Sequence, residues 1–209
     1  MERVLYRELV RDDYERIKEL ICEAFGFDDF IENKILLDSI LTIYLQGCIM
    51  DSSFSRVAVK DNKVIGIILG KAKNDKHSLR KMHNSVSFLL NASKLLIPTK
   101  ENKKLSKEFS KIKNAYKEII LGKEDDFEGC IELFIVSHES QGFGVGKTLV
   151  SDLFDYMKTM NVNSLYLYTD TRCNYGFYDS QNFKRINEKK IHLDSVKSDL
   201  NVFLYSYRF

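Results

Sequence analysis

The most informative stretch of this chain is Ile131-Glu-Leu-Phe-Ile-Val136, followed by Ser137-His-Glu-Ser-Gln-Gly-Phe-Gly-Val-Gly-Lys-Thr148. Its apolar start predicts a β-strand, and the apolar residues beyond its glycines recur with helical spacing. A strand, a glycine-rich turn and a helix N-terminus together make an anion site, because free backbone N–H groups and the helix dipole favour negative charge. The stretch therefore predicts binding of a phosphorylated ligand.

Two nucleotide-binding patterns fit this turn poorly. A P-loop reads G-x-x-x-x-G-K-[ST]; Gly146-Lys147-Thr148 fits its second half, but its first glycine would fall on Gln141. The dinucleotide pattern G-x-G-x-x-G also fails, because the glycines here are spaced G-x-G-x-G. A P-loop nucleotide-binding protein is therefore a less favoured alternative.

The turn instead matches Q/R-x-x-G-x-G/A through Gln141, Gly144 and Gly146. A second strand pattern follows at 164–168, and then the segment 177–183 reads F-Y-D-S-Q-N-F. In this order and spacing the two motifs resemble those of the GNAT superfamily of acyl-CoA-dependent N-acyltransferases, whose second motif is F-Y-x-x-x-G-F.

Three positions depart from the family pattern. Thr171 stands where Asn is common, His138 stands where Pro is common, and Asn182 replaces the glycine of the second motif. Asn is the usual substitute for glycine in the left-handed conformation that ends a helix, so this last change is mild. The change at His138 alters the loop but touches no group with an assigned chemical role.

The resemblance implies a mixed α/β fold of the GNAT type, in which helices flank a twisted, largely antiparallel sheet. It also implies an enzyme that moves an acetyl group from acetyl-CoA to a primary amine of a small molecule or peptide, directly within a ternary complex. The main alternative is a non-catalytic acyl-CoA-binding or regulatory module. The sequence leaves open the acceptor, the acyl-chain preference and the choice between monomer and homodimer.

The resemblance assigns roles to particular residues. Tyr178 aligns with the family's general acid, a phenol beside the sulfur, and Glu132 is a candidate general base. Regular alternation would place Glu132 on one face with Phe134 and Val136, where burial would raise its pKa. A core aromatic and a solvent-facing carboxylate are the respective alternatives. The residues expected to bind the cofactor are Phe134, Ile135, Val136, Gln141, Gly142, Phe143, Gly144, Val145, Gly146, Lys147, Thr171 and Asn174.

Length and composition favour one globular domain spanning 1–209, with 44% hydrophobic and 30% charged residues. No apolar run approaches the roughly 18 residues of a membrane span. Four cysteines without a C-x-x-C pair favour reduced thiols in the cytoplasm, and four histidines without ligand spacing predict no metal. Cys173 lies near the expected thioester region, where a packed thiol is favoured over a covalent role.

The segment 71–123 replaces the short turn that joins the third and fourth strands in the family. Its apolar spacing predicts two helices, the first ending before Pro98. Thirteen lysines and one arginine against four acidic residues give it a charge of +10, whereas the whole chain carries +2. Solvated surface helices are favoured; the alternative is a lid that attracts an acidic acceptor or the phosphates of coenzyme A. Nucleic-acid binding is disfavoured because arginine is nearly absent.

The remaining elements follow from periodicity and turn signals. The chain should contain a first strand, two helices, a hairpin around Asp61-Asn62-Lys63 and two final strands. The predicted ranges are 4–9 for the first strand, 14–24 and 30–45 for the helices, 54–59 and 64–69 for the hairpin strands, and 190–193 and 202–207 for the last strands.

Overall fold

A seven-stranded sheet forms the centre of the computed structural model, which describes residues 3–29, 31–96 and 99–209. Its strands are β1 (Leu5–Arg7), β2 (Phe54–Lys60), β3 (Lys63–Ala72), β4 (Gly129–Val136), β5 (Ser164–Asp170), β6 (Lys184–Leu193) and β7 (Ser198–Arg208). They lie in the order β1-β2-β3-β4-β5-β7-β6, and every neighbouring pair is antiparallel except β4 and β5. The predicted fold class, a mixed and largely antiparallel sheet, is confirmed.

Helices cover both faces of the sheet. They are α1 (Tyr14–Phe25), α2 (Lys34–Asp51), α3 (Ser85–Leu95), α4 (Lys100–Ile120), α5 (Val145–Thr159) and α6 (Gly176–Ser180). Side-chain oxygens of Asn33 and Thr99 accept N–H bonds at the starts of α2 and α4. Phe30 and Pro98, predicted near these starts, lie outside the described residues. In the part of the chain that is described, no helix is both long and apolar enough to span a membrane.

The hairpin and the last strands show what local signals predict. Asp61 and Asn62 have φ of 50° and 57°, as a tight hairpin turn between β2 and β3 requires. The final strands begin earlier than predicted, because the first half of β6 is polar and exposed and therefore lacks an apolar alternation. Pairing with β7, not hydrophobicity, defines that half of β6.

Two glycines of β3 allow α5 to lie directly on the sheet. A Cβ at Gly70 would stand 2.5 Å from Cδ1 of Leu153, and one at Gly66 would stand 3.1 Å from Cδ1 of Leu149. Because larger side chains would push the helix away, these glycines fix its distance from the sheet. They thereby hold the N-terminus of α5 beside the end of β4.

The opposite face carries α1, α2 and α4. Near its start α4 packs on the α1 and α2 cluster, where the ring centroids of Phe109 and Phe27 are 6.0 Å apart. Near its end Ile119 packs with Leu204 of β7. The predicted helical insertion between the third and fourth strands therefore bridges the two halves of the sheet.

β4 and β5 part after two residue pairs. Gly129 pairs with Leu165 and Cys130 with Tyr166, and no further pair follows within the described strands. β4 nevertheless stays paired with β3, and β5 with β7, along their lengths. A gap with unpaired strand edges therefore opens between the carboxyl halves of β4 and β5.

Candidate active site

The glycine-rich turn lies at the mouth of this gap. Gly142 and Gly144 have φ of 84° and 80°, in the left-handed region that favours glycine. A Cβ at either position would meet nothing within 4 Å, so open space borders their backbone. Gln141 is exposed, and Phe143 is 80% exposed. The turn is thus open to a ligand, as the predicted phosphate site requires.

The start of α5 supplies positive charge that would complement a phosphate. The first N–H groups of a helix have no partners within it, and its dipole adds partial positive charge. Lys147 is exposed in this first turn. A phosphorylated group fits these residues, since backbone donors, the dipole and an ammonium converge where no side chain blocks approach.

Phe134 connects the strand, the turn and the second motif. Its ring centroid lies 5.3 Å from that of Phe177 and 6.2 Å from that of Tyr178. A Cβ on Gly146 would come within 3.3 Å of both Phe134 and Phe177. The structure thus brings the end of β4, the start of α5 and α6 together at one end of the gap.

Tyr178 is 8% exposed and surrounded by aromatic rings. Its neighbours include Phe183 and Tyr205, with ring centroids 5.6 and 5.7 Å away. Burial raises the pKa of the phenol, so it keeps its proton at neutral pH. Its packing suits the core-aromatic interpretation, and its retained proton suits the predicted acid.

A β-bulge interrupts β4 at Glu132. Leu133 pairs with Leu69 and Ile131 pairs with Gly70, so the register skips the residue between them. A bulge leaves its extra residue outside the ladder and bends the strand. Glu132 is therefore placed by the bulge and not by regular alternation.

The bulge corrects the predicted face of Glu132. Phe134 and Val136 pack in the cluster beneath α5. The carboxylate of Glu132 instead lies beside Cys130, whose Sγ donates to Oε1 at 2.9 Å, and Cys48 of α2 is 3.8 Å from its main-chain oxygen. The prediction of one shared face is wrong, because the extra residue turns Glu132 toward the α2 side of the sheet.

Glu132 combines burial with an open oxygen. Burial raises its pKa, while the bond from Cys130 and the charge of Lys71 partly oppose that rise. Among the described residues, Oε2 accepts no hydrogen bond and is not sealed from solvent. One carboxylate oxygen is thus available to a group that enters the gap.

The other predicted residues fall into two groups. Ile135 and Val145 have 6% and 2% exposed side chains, so only their main chain can meet a ligand. Thr171 is tied to β7 through two bonds with Asn201, and Asn174 accepts the N–H bond that starts α6. Both lie just beyond β5, at the same sheet edge as the glycine turn, because β4 and β5 are parallel.

Cys173 has the properties of a packed thiol. Burial, reinforced by Asp170, raises its pKa to about 12, so the thiolate is not populated at neutral pH. Within the described residues, no cluster of three or more His, Cys, Asp or Glu side chains could hold a metal ion.

Sequence reasoning missed the aromatic side chains on the α4 side of the gap. The rings of Tyr116 and Tyr168 stack with centroids 4.4 Å apart, and the ring centroid of Tyr166 lies 5.5 Å from that of Tyr168. Two signals were available: the alternation of Tyr166 with Tyr168, and the seven-residue spacing from Phe109 to Tyr116 along α4.

Comparisons with known proteins agree with this geometry. Residues 111–183 match the model of the Acetyltransferase (GNAT) family. Solved structures with the same fold include a ribosomal-protein-alanine N-acetyltransferase from Brucella melitensis, with 13% identity, 98% of this chain and 99% of that chain covered, and a TM-score of 0.57. An N-acetyltransferase from Staphylococcus aureus Mu50 has 12% identity, 99% of each chain covered and a TM-score of 0.56. The apo form of a mutant agmatine N-acetyltransferase has 10% identity, 100% of each chain covered and a TM-score of 0.58.

No match was found among curated protein sequences. At identities this low, the likeness to solved structures shows the fold. The family match covers β4, the glycine turn, β5 and α6, which are the elements that build the gap. The resemblance to the GNAT superfamily is therefore confirmed, and match and fold together indicate an acyl-CoA-dependent acetyltransferase.

Glu132→Gln should change how stability depends on pH. Because burial raises the folded-state pKa of Glu132 above the usual 4.5, its contribution to stability is complete below that value and is lost as pH rises through the folded-state pKa. Glutamine cannot ionise, so the variant should lose less stability than the wild type between about pH 4 and pH 8. Urea unfolding across this range measures the difference. The exposed control Glu139→Gln should follow the wild type; a constant offset for Glu132→Gln would contradict the raised pKa.

Proposed function

We propose that this protein transfers the acetyl group of acetyl-CoA to a primary amine of a small molecule or peptide, directly within a ternary complex. The observation that carries the proposal is the parting of β4 from β5 beside an open glycine turn. In this proposal 1–209 forms one domain, and its four unpaired thiols favour the reducing cytoplasm.

The free edge of β4 suits the pantetheine arm. An extended chain with amide groups can pair with an unpaired strand edge as an added strand. We assign this pairing to the main chain of Phe134, Ile135 and Val136, which borders the gap. The pyrophosphate then falls on the turn 141–147 and the start of α5, while Thr171 and Asn174 border the opposite side.

The reaction needs a base, an acid and a polarised carbonyl. Acetyl-CoA supplies the thioester; the amine nitrogen bonds to its carbonyl carbon, and the carbon–sulfur bond breaks. Glu132 takes the proton of the amine, directly or through water, and Tyr178 gives a proton to the leaving sulfur. A main-chain N–H of β4 near the bulge polarises the carbonyl. Exchange with solvent then restores both side chains.

The raised pKa of Tyr178 does not prevent this role. A phenol with a raised pKa holds its proton firmly. Burial disfavours a thiolate for the same reason, because both anions lose hydration in the gap. The proton therefore moves between two groups whose anions are both destabilised, so the raised pKa of the leaving thiol offsets the raised pKa of Tyr178.

Gly144→Glu should abolish the stabilisation that acetyl-CoA gives. At about 100 times its dissociation constant, the ligand should add roughly 2.7 kcal/mol to the wild type. The variant places bulk and negative charge at the phosphate site. Thermal unfolding with and without acetyl-CoA measures the increment. Gly122→Glu is the matched control, because Gly122 has φ of 75° and equally open surroundings. A full increment in Gly144→Glu would refute the loop assignment.

Tyr178→Phe should lower turnover about 10²-fold or more while acetyl-CoA affinity is kept, because the ring stays and the proton is lost. Release of free thiol in the presence of an amine measures turnover. Tyr207→Phe is the control, since Tyr207 packs in the same cluster, 4.3 Å from the ring of Phe154. Near-normal turnover of Tyr178→Phe would leave Tyr178 a packing role only.

The same assay also tests the alternative function. If the wild type binds acetyl-CoA but acetylates no amine, the non-catalytic acyl-CoA-binding module is favoured.

A further inference from the structure

The gap has two chemically different sides. The glycine turn, α5 and Tyr178 lie on one face of the sheet, and Glu132 lies on the other with α2 and α4. A donor held on the glycine turn would leave the α4 side for the acceptor. The side chains on that side therefore define which amines can enter.

Three tyrosines with neighbouring rings lie on the α4 side of the gap, Tyr116 of α4 and Tyr166 and Tyr168 of β5. A fourth, Tyr44 of α2, is close enough to Tyr116 and Glu132 to interact with them electrostatically. Each is only partly buried, so each borders accessible space and is not closed core. Burial raises the pKa of all four phenols, which therefore stay neutral. Neutral aromatic rings attract a cation through their faces and an apolar body through contact.

The charges near these rings favour a cation at one point. The open oxygen of Glu132 is close to them, because Cys130 donates to its carboxylate and is paired with Tyr166 across β4 and β5. The carboxylate of Asp170 is already engaged by the N–H of Arg172 at 2.8 Å. The charge of Asp51 raises the pKa of Glu132, whereas the charge of Lys71 lowers it. Glu132 is only partly buried whereas Asp170 is buried, so Glu132 is the more accessible of these two carboxylates.

The lysines of α4 lie away from this space, whereas Lys71, near the end of β3, is a cation of the insertion whose charge acts on Glu132. On α4 the side chains of Lys103 and Lys104 are exposed, and Lys107 and Lys111 form ion pairs with Asp194. The face that α4 turns toward the sheet is instead aromatic and apolar. The lysines of α4 therefore do not form a lid that attracts an acidic acceptor.

We infer that the acceptor is a compact amine with a single positive charge, at the reacting nitrogen, and an apolar or aromatic body held against Tyr116 and Tyr168. This inference rests on the proposed function. The insertion would then select the acceptor, because it contributes Tyr116 of α4. A carboxylate next to the amine would lie among neutral rings and beside the like charge of Glu132, and both disfavour its binding.

A matched pair of amines tests this inference. Phenethylamine and phenylalanine share an aromatic body and an amine, and only the second carries a carboxylate. Calorimetry of each against the full chain saturated with coenzyme A measures binding without turnover. Phenethylamine should bind at least about 10-fold more tightly. Equal affinities, or tighter binding of phenylalanine, would overturn the inference.

Variants of α4 locate the contact. Tyr116→Ala should weaken phenethylamine binding about 10-fold and leave acetyl-CoA binding unchanged, whereas Tyr116→Phe should retain affinity because the ring face remains. Lys113→Ala, on the exposed side of the same helix, should stay within about 2-fold of the wild type. Unaltered binding by Tyr116→Ala, or loss in Tyr116→Phe equal to that in Tyr116→Ala, would contradict the ring contact.

The two proposals fail in different ways. If phenethylamine binds with the expected preference but is not acetylated, the acetyl-transfer function fails and the inferred acceptor site stands. If both amines are acetylated with equal efficiency, the transfer function stands and the inferred selectivity fails.

Discussion

Because β4 and β5 part after two residue pairs, the other elements of the fold are arranged around an open gap in the sheet. The bulge at Glu132 bends β4 just beyond the last pair, and the rings of Phe134 and Phe177 occupy the end of the resulting gap. A sheet divided in this way needs covering on both faces. On one face α5 bridges it, held close by Gly66 and Gly70, and on the other α4 does so.

The local part of this arrangement could be predicted from the sequence. The strand, glycine turn and helix between 131 and 159 have strong local signals, because apolar spacing and glycine each restrict the backbone directly. The hairpin at Asp61 and Asn62 has the same kind of signal. The convergence of Gly146 and Tyr178 on Phe134 followed only from the resemblance to a known family, since contacts between distant residues have no local pattern.

The rest could not be predicted for physical reasons. A bulge changes which way Glu132 faces without leaving a mark in composition, because it depends on how β3 and β4 pair. The charge of the insertion was visible, but a count of lysines does not say which face of a helix they occupy. In α4 they lie outside, where Lys107 and Lys111 pair with Asp194, while Tyr116 faces β5.

In the proposed function, the unpaired edge of β4 receives the thioester arm of acetyl-CoA. A crystal structure of the full chain with bound coenzyme A would show whether the arm pairs with this edge. The pantetheine amides should be hydrogen-bonded to the main chain at 134–136, and the pyrophosphate oxygens should accept hydrogen bonds from the N–H groups of the turn 141–147. Coenzyme A bound elsewhere, with the space between β4 and β5 filled by protein side chains, would show that the edge of β4 is not the binding site.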